Sequence, residues 1–365
     1  MSNDGLLNVV CPLNLQVHDD NDGRYIITPH DMIFRRYRSI RLLRQCPFDD
    51  TVEAVDTVNH TLVAIKIIRA VPKYRVMCKK EILVLQKLKE HDQDNKNKCT
   101  HLLSWFEHLN HICLVTELLG MSTCEFLRVN HFQPFPRKHI QDFARHLFGS
   151  IAFLHDLHLI HTDLKPECIL LVRDAFRTVD LAVSKKKRIL DDTDIRLTDF
   201  GSATFESEHH STIISTRHYR APEIILGLGW SYPCDVFSLG CILVEFYIGA
   251  ALFQTHDSLE HLAMMEMVIG HMPEIFARSA ACNKPEYFRE DGQLDWPKLD
   301  TGRQSKKDVQ GMKSLKELIP PKDAVNQQFL DLLKQLLGYD PAQRISVRDA
   351  LQHPYFMLDI PMEDL

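Results

Sequence analysis

Between Gly23 and Gly120 the chain contains no glycine. Glycine lets bare backbone N–H groups approach a phosphate closely, so no G-x-G-x-x-G loop can be built in that stretch. Also missing is any run of 18 apolar residues, which excludes a membrane-spanning helix on sequence grounds. The opening MSNDGLLNVVCPLNLQVHDDNDG has no basic start followed by an apolar core, so no secretory leader is expected. The ten cysteines form no CxxC pair, and Cys113 and Cys241 sit in apolar runs. That argues against a disulfide framework or zinc site and for buried thiols in a reducing compartment. A net charge of −6 rules out a general nucleic-acid binder, so no direct nucleic-acid partner and no membrane partner is expected. Repeats and low-complexity tracts are absent. What is present is ordinary for a soluble globular protein: 365 residues, 45% hydrophobic and 25% charged, enough for one large domain or two lobes.

Residues 1–30 read as a polar, acidic lead-in. From about Ile33 to Ala70 the pattern is β, with Arg38–Leu43 and Thr51–Val55 able to pair as a hairpin. Thr61–Ile68 is an apolar, β-branched strand with a single charge, Lys66. In isolation that lysine is as well read as an edge-strand residue. Tyr74–Glu90 reads as a helix whose Tyr74, Met77, Val84, Leu85 and Leu88 share a face with Glu81. Residues 101–108 and 111–118 give two more strands. Ile140, Phe143, Ala144, Leu147, Phe148, Ile151 and Leu154 then make one apolar stripe over four helical turns. That helix delivers His161-Thr162-Asp163-Leu164-Lys165-Pro166-Glu167-Cys168. After a basic insertion (residues 172–192) comes Thr198-Asp199-Phe200-Gly201, then Ala221-Pro222-Glu223. The Lys185–Arg188 run reads either as a nuclear-import signal or as a solvated turn. Phosphoryl transfer needs one carboxylate near the acceptor hydroxyl and another on a metal bridging the phosphates. Asp163 and Asp199 are candidates at the right separation.

These motifs resemble a eukaryotic protein kinase, and more closely its LAMMER (CDC-like) family, with a wording similar to fungal members. The signature is Glu260-His261-Leu262-Ala263-Met264-Met265-Glu266, with Met267 where the family ends in Arg. Ser211–Glu223, Trp105–His108, Glu117–Gly120 and Phe253–Asp257 match too, and the resemblance spans roughly residues 20–357. It implies an α+β, two-lobed protein-kinase fold: a β-rich N-lobe over 31–119 with one key helix, and a mainly helical C-lobe over 120–357. It implies ATP and Mg²⁺ as cofactors. Asp163, Lys165 and Thr216 would be catalytic, Asp199 would hold the metal, and Lys66 paired with Glu81 would place the phosphates. Glu117 and Leu119 would hold adenine by their backbone, Thr116 would guard the back of that pocket, and Phe48 would cap the phosphate loop. Asp235 would bond the catalytic-loop backbone and Arg344 would pair with Glu223. The implied partners are arginine/serine-rich proteins, phosphorylated on Ser, Thr or Tyr by a monomer in nucleus and cytoplasm. Thr162, where most kinases carry an Arg, implies a site ordered without loop phosphorylation.

Two departures stand against that pattern. Arg44, Cys46 and Asp49 occupy the three glycine positions, Pro47 has no N–H to donate, and Asp49 and Asp50 bring negative charge towards phosphate unless they turn outward. Cys168 replaces the loop Asn, and a neutral thiol is a poor ligand for Mg²⁺. The expectations are weaker ATP binding, a stiffer or displaced lid, and either a kinase of reduced activity or a pseudokinase that docks its partners without phosphorylating them.

Overall fold

The structure, a computed structural model, describes residues 19–181 and 185–361, so residues 1–18 of the expected lead-in lie outside it. The chain divides into two compact units. One gathers the residues up to Lys79 with Leu102–Leu118; the other takes Lys80–His101 and everything from Leu119 onward.

In the first unit six antiparallel strands follow one another: β1 (Met32–Ile33), β2 (Tyr37–Gln45), β3 (Asp49–Asp56), β4 (Thr61–Ile68), β5 (Leu102–His108) and β6 (His111–Glu117). Their spatial order is β1-β2-β3-β4-β6-β5. Period-2 alternation sends Val52 and Ala54 of β3, and Val63, Ile65 and Ile67 of β4, to one buried face with Tyr37, Phe106, Cys113 and Val115. β4 lies between β3 and β6, so Lys66 is on an interior strand, which removes its reading as an edge lysine. The helix α1 (Pro72–His91) crosses from the first unit into the second. Its buried face is Cys78, Glu81, Ile82, Leu85 and Leu88 with Val84; Met77, expected on that face from the sequence, is exposed, and Cys78 takes its place.

The second unit is mainly helical. Its helices are α2 (Thr123–Val129), α3 (Arg137–Asp156), α4 (Pro222–Ile225), α5 (Pro233–Ile248), α6 (Ser258–Ile269), α7 (Glu274–Asn283), α8 (Arg303–Gln310), α9 (Leu315–Leu318), α10 (Ala324–Leu336) and α11 (Val347–Leu351). Short antiparallel pairs intervene: β7 (Leu159–Ile160) with β12 (Thr204–Phe205), β8 (Ile169–Leu171) with β11 (Ile195–Leu197), and β9 (Phe176–Leu181) with β10 (Lys185–Leu190). Every residue of the α3 stripe from Ile140 to Leu154 is at most 1% exposed. Phe143 meets Phe135 and Phe246 of α5 edge-on at 5.2 and 5.6 Å, and burying such a ring stabilises by about 2–3 kcal/mol. The signature helix α6 buries Leu262, Met264 and Met265 and leaves Met267 exposed, so the motif is a core helix rather than a surface one.

Within the insertion 172–192, strands β9 and β10 pair antiparallel, and the basic run Lys185–Arg188 lies in strand β10, not in a solvated turn. Asn130 clamps it by bonding both the N–H and the carbonyl of Arg188 (2.8 and 3.0 Å), while the Arg188 guanidinium stacks over Phe176 at 4.7 Å. Lys187 is only 6% exposed, and burial pulls its amine below the usual lysine range.

Candidate active site

In the second unit, the loop between β7 and β8 is held from beneath. The Asp235 carboxylate, 1% exposed at the first turn of α5, accepts from the backbone N–H groups of His161 and Thr162, both at 2.9 Å, and contacts His155 Nε2 at 3.1 Å. His161 is fully buried, with Nε2 3.1 Å from the Thr198 carbonyl. Thr162 takes a left-handed backbone (φ 69°), and its hydroxyl donates to Ser202 O at 2.9 Å. Left-handed backbone at a β-branched residue is unfavourable and persists only where surrounding bonds enforce it. Here they do, and they turn Asp163 outward.

Asp163 is the hub of three polar contacts. Its Oδ1 accepts from the Thr216 N–H and from the Thr216 hydroxyl, both at 2.7 Å, and its Oδ2 receives Lys165 Nζ at 2.5 Å. Lys165 also donates to Thr216 Oγ1 at 3.1 Å. The three residues singled out as catalytic are therefore gathered in one constellation. Burial works to lower the Lys165 amine, but the Asp163 carboxylate and Glu167 around it leave it raised, so it stays a cation. An aspartate fixed through one oxygen, with a cation beside the other, can orient a hydroxyl and receive its proton.

Cys168 ends the short turn Pro166–Cys168, is 1% exposed, and places Sγ 3.5 Å from the Asp163 carbonyl. Burial, reinforced by the nearby Asp199 charge, holds the thiol well above its ordinary range, so it is protonated and neutral. Asp199 adopts a left-handed backbone (φ 62°, ψ 57°) ahead of the turn Phe200–Ser202. Phe200 packs against the His161 ring at 5.5 Å. A Cβ on Gly201 would lie 3.3 Å from Glu81 Oε2, so Glu81 is set against this turn and would have to give slightly to admit any larger residue there. The donor set decides which metal chemistry fits. Among the described residues no three His, Cys, Asp or Glu side chains gather to hold a cation by themselves. Asp199 offers a hard carboxylate oxygen and Cys168 offers none, so a hard divalent cation would be held here by Asp199 and not by Cys168.

Downstream, the segment after the Asp-Phe-Gly turn is tied by side-chain contacts within the second unit. Glu208 pairs with Lys80 of α1 at 2.5 Å, Lys87 stacks over Phe205 at 4.6 Å, and His210 lies flat on Trp230 at 4.0 Å. Arg344 holds Glu223 through two bonds of 2.8 and 3.0 Å with both side chains at most 1% exposed, as expected.

In the first unit, Lys66 Nζ lies 3.8 Å from Asp49 Oδ2. Neither acid at the hairpin tip turns outward, contrary to the condition set from sequence: Asp49 is 6% and Asp50 3% exposed. Asp50 instead meets Arg24 at 2.7 Å. Phe48 is half exposed and packs edge-on to Tyr74 at 5.1 Å. Glu117 closes β6, with its carbonyl 3.3 Å from the Thr116 hydroxyl. Leu119 opens the second unit, where Gly120 N donates to Leu171 O at 2.8 Å and Met121 N to Asp174 at 3.0 Å. Sequence reasoning misses Asp174, Arg24, Arg69 and the Lys80–Glu208 pair. Only the charge of each is visible there, and none lies in a motif.

Comparisons with known proteins give the family. The protein kinase domain model matches residues 45–356. The chain is 46% identical over 339 residues to the dual specificity protein kinase lkh1 of Schizosaccharomyces pombe, covering 93% of this chain and 49% of that one. The chain belongs to the LAMMER (CDC-like) branch of the protein kinases. Serine/threonine protein kinase chemistry of the dual-specificity type goes with that membership. It is also 45% identical to the serine/threonine-protein kinase AFC1 of Arabidopsis thaliana (93% of this chain, 74% of that one). To the human dual specificity protein kinase CLK4 it is 44% identical (94% and 70%). A crystal structure of a kinase domain superposes with a TM-score of 0.86 at 32% identity, covering 92% of this LAMMER chain and all of that one. The chain thus spans about half of the yeast relative and some seven-tenths of the others. The yeast, plant and human kinases match this chain within two points of identity, so these values favour no kingdom.

Proposed function

We propose that this LAMMER kinase transfers the γ-phosphate of ATP to Ser, Thr and, on occasion, Tyr hydroxyls of arginine/serine-rich proteins, through one Mg²⁺ and at reduced rate. The observation that carries the reading is the Asp163–Lys165–Thr216 constellation. A carboxylate held by Thr216 and charge-paired to Lys165 serves to orient an acceptor hydroxyl and to take its proton. Lys165 then stands to neutralise the transferred group, and Lys66 to bind the phosphates. The adenine falls to the backbone of Glu117 and Leu119. Mg²⁺, held by Asp199 when bound, supplies charge neutralisation on the phosphate oxygens. Arginine/serine-rich substrates, a monomeric state and a nuclear and cytoplasmic location follow from the LAMMER family and are part of the proposal.

The test is phosphate transfer from labelled ATP with Mg²⁺ to an arginine/serine-rich peptide. Asp163→Asn is expected to lower turnover by roughly a thousandfold or more. Cys168→Asn, which returns an oxygen ligand, is expected to raise it by about tenfold and to lower the Mg²⁺ concentration required. Wild-type turnover equal to that of Asp163→Asn would leave only a docking module with a kinase fold.

A further inference from the structure

The tip of the β2–β3 hairpin is fastened from two sides. Cys46 N donates to Asp49 O at 2.8 Å, closing the turn. Arg24 donates to the Cys46 carbonyl at 2.8 Å and to Asp50 at 2.7 Å. Arg69 donates to the Pro47 carbonyl at 2.7 Å and to the Asp22 carbonyl at 3.1 Å, while its own N–H reaches Phe48 O at 3.1 Å. Asp49 is therefore held together with the tip. In the ladder Asp49 pairs with Ile68 and Thr51 with Lys66. Asp49 and Thr51, two apart, share a face, so Asp49 and Lys66 are diagonal neighbours on it. Their charges stand 3.8 Å apart with side chains 8% and 17% exposed. The second oxygen, Asp49 Oδ1, is buried with no hydrogen-bond partner among the described residues. Arg24 neutralises Asp50, which leaves Asp49 as the acid of the pair that Lys66 feels.

We propose that Asp49 is an internal anion that occupies Lys66 in place of nucleotide phosphate, so that a nucleoside polyphosphate binds only by displacing a charge the chain itself supplies. The inference rests on Lys66 being the phosphate-binding lysine of the proposed function. It makes Asp49 the residue that sets nucleotide affinity, and it acts on the polyphosphate only, since a neutral nucleoside has no charge to compete for Lys66.

The experiment is equilibrium titration of the full chain, as wild type, Asp49→Asn and Asp49→Gly, with MgATP and separately with adenosine. Removing the carboxylate is expected to tighten MgATP by about tenfold or more at low salt, less at high salt, and to leave adenosine unchanged. A second readout needs no nucleotide: the pH midpoint for acylation of Lys66, followed by peptide mass, is expected to fall in Asp49→Asn. An unchanged or weaker MgATP affinity in both variants overturns the proposal. So does an equal gain for adenosine, an unmoved Lys66 midpoint, or no MgATP binding in any protein. Tighter MgATP binding without phosphate transfer by any of the three would uphold Asp49 as the internal anion and sink the kinase reading instead.

Discussion

The loop His161–Cys168 in the second unit and the hairpin tip Arg44–Asp50 in the first are held by different kinds of force. Backbone geometry locks the loop: the buried Asp235 carboxylate takes two N–H groups, Thr162 sits in a left-handed conformation, and Ser215 donates to the Thr162 carbonyl at 2.6 Å. The tip is locked by charge, with Arg24 and Arg69 gripping carbonyls and Asp50 from outside the hairpin. Where the motif residues survive, the constellation forms with 2.5–2.7 Å contacts around Asp163. Where the glycines are lost, long charged side chains do the work of a tight bare turn, and Asp49 sits beside Lys66. One region keeps its chemistry because buried bonds specify it; the other keeps its shape and changes its chemistry.

The strongest way to break this contrast is at Asp235. Asp235→Leu leaves two buried N–H groups without acceptors, so a loss of about 3–5 kcal/mol is expected, read as a fall in the urea midpoint. A loss under about 1 kcal/mol would mean the loop does not depend on that lock.

The second unit also carries an acid that is poorly matched, and this sharpens the comparison. Burial, against the opposing Tyr219 hydrogen bond at 2.7 Å, pushes the Glu245 carboxyl up to about 7. From its ordinary 4.5 up to about 7 the folded protein holds a proton that the unfolded chain has released. Stability therefore falls as pH rises through that window, and the penalty is complete above it. Glu245→Gln should flatten thermal stability against pH between these limits and stabilise the protein at pH 8 by up to about 3 kcal/mol. An unchanged slope would place the burden elsewhere.

The smallest effect belongs to the tip. Arg69→Ala removes hydrogen bonds to exposed carbonyls, so the expected cost is about 1 kcal/mol or less. Amide exchange over residues 46–49 should nevertheless quicken, because the Cys46–Asp49 turn loses its outer support. Unchanged exchange there would show that the turn stands by itself.

Much of this architecture is legible in the amino-acid sequence. The period-2 strands and the α3 stripe lie where pattern puts them, because hydrophobic periodicity acts over a few residues. The Glu223–Arg344 pair, far apart in the chain, is visible there only through the family resemblance. Thr216 lies more than fifty positions from Asp163, and only the family resemblance ties the two together in the sequence. Less legible are residues whose role is set by distant neighbours. Met77 and Cys78 both fit a helix, and packing chooses Cys78. The basic run 185–188 reads as well as a solvated turn, yet it is a paired strand held at Arg188 by Asn130 and Phe176.

The sequence by itself determined that phosphate could not be met by a bare glycine loop, and that position 168 would offer sulfur rather than oxygen, since both follow from covalent chemistry. Only the tertiary structure decided where the charges at the tip would go. Asp49 and Asp50 differ by one position in the chain, but strand alternation turns them to opposite faces. One meets Arg24 and the other Lys66. That choice rests on ladder register and on an arginine more than twenty residues away, and neither is written in the local sequence.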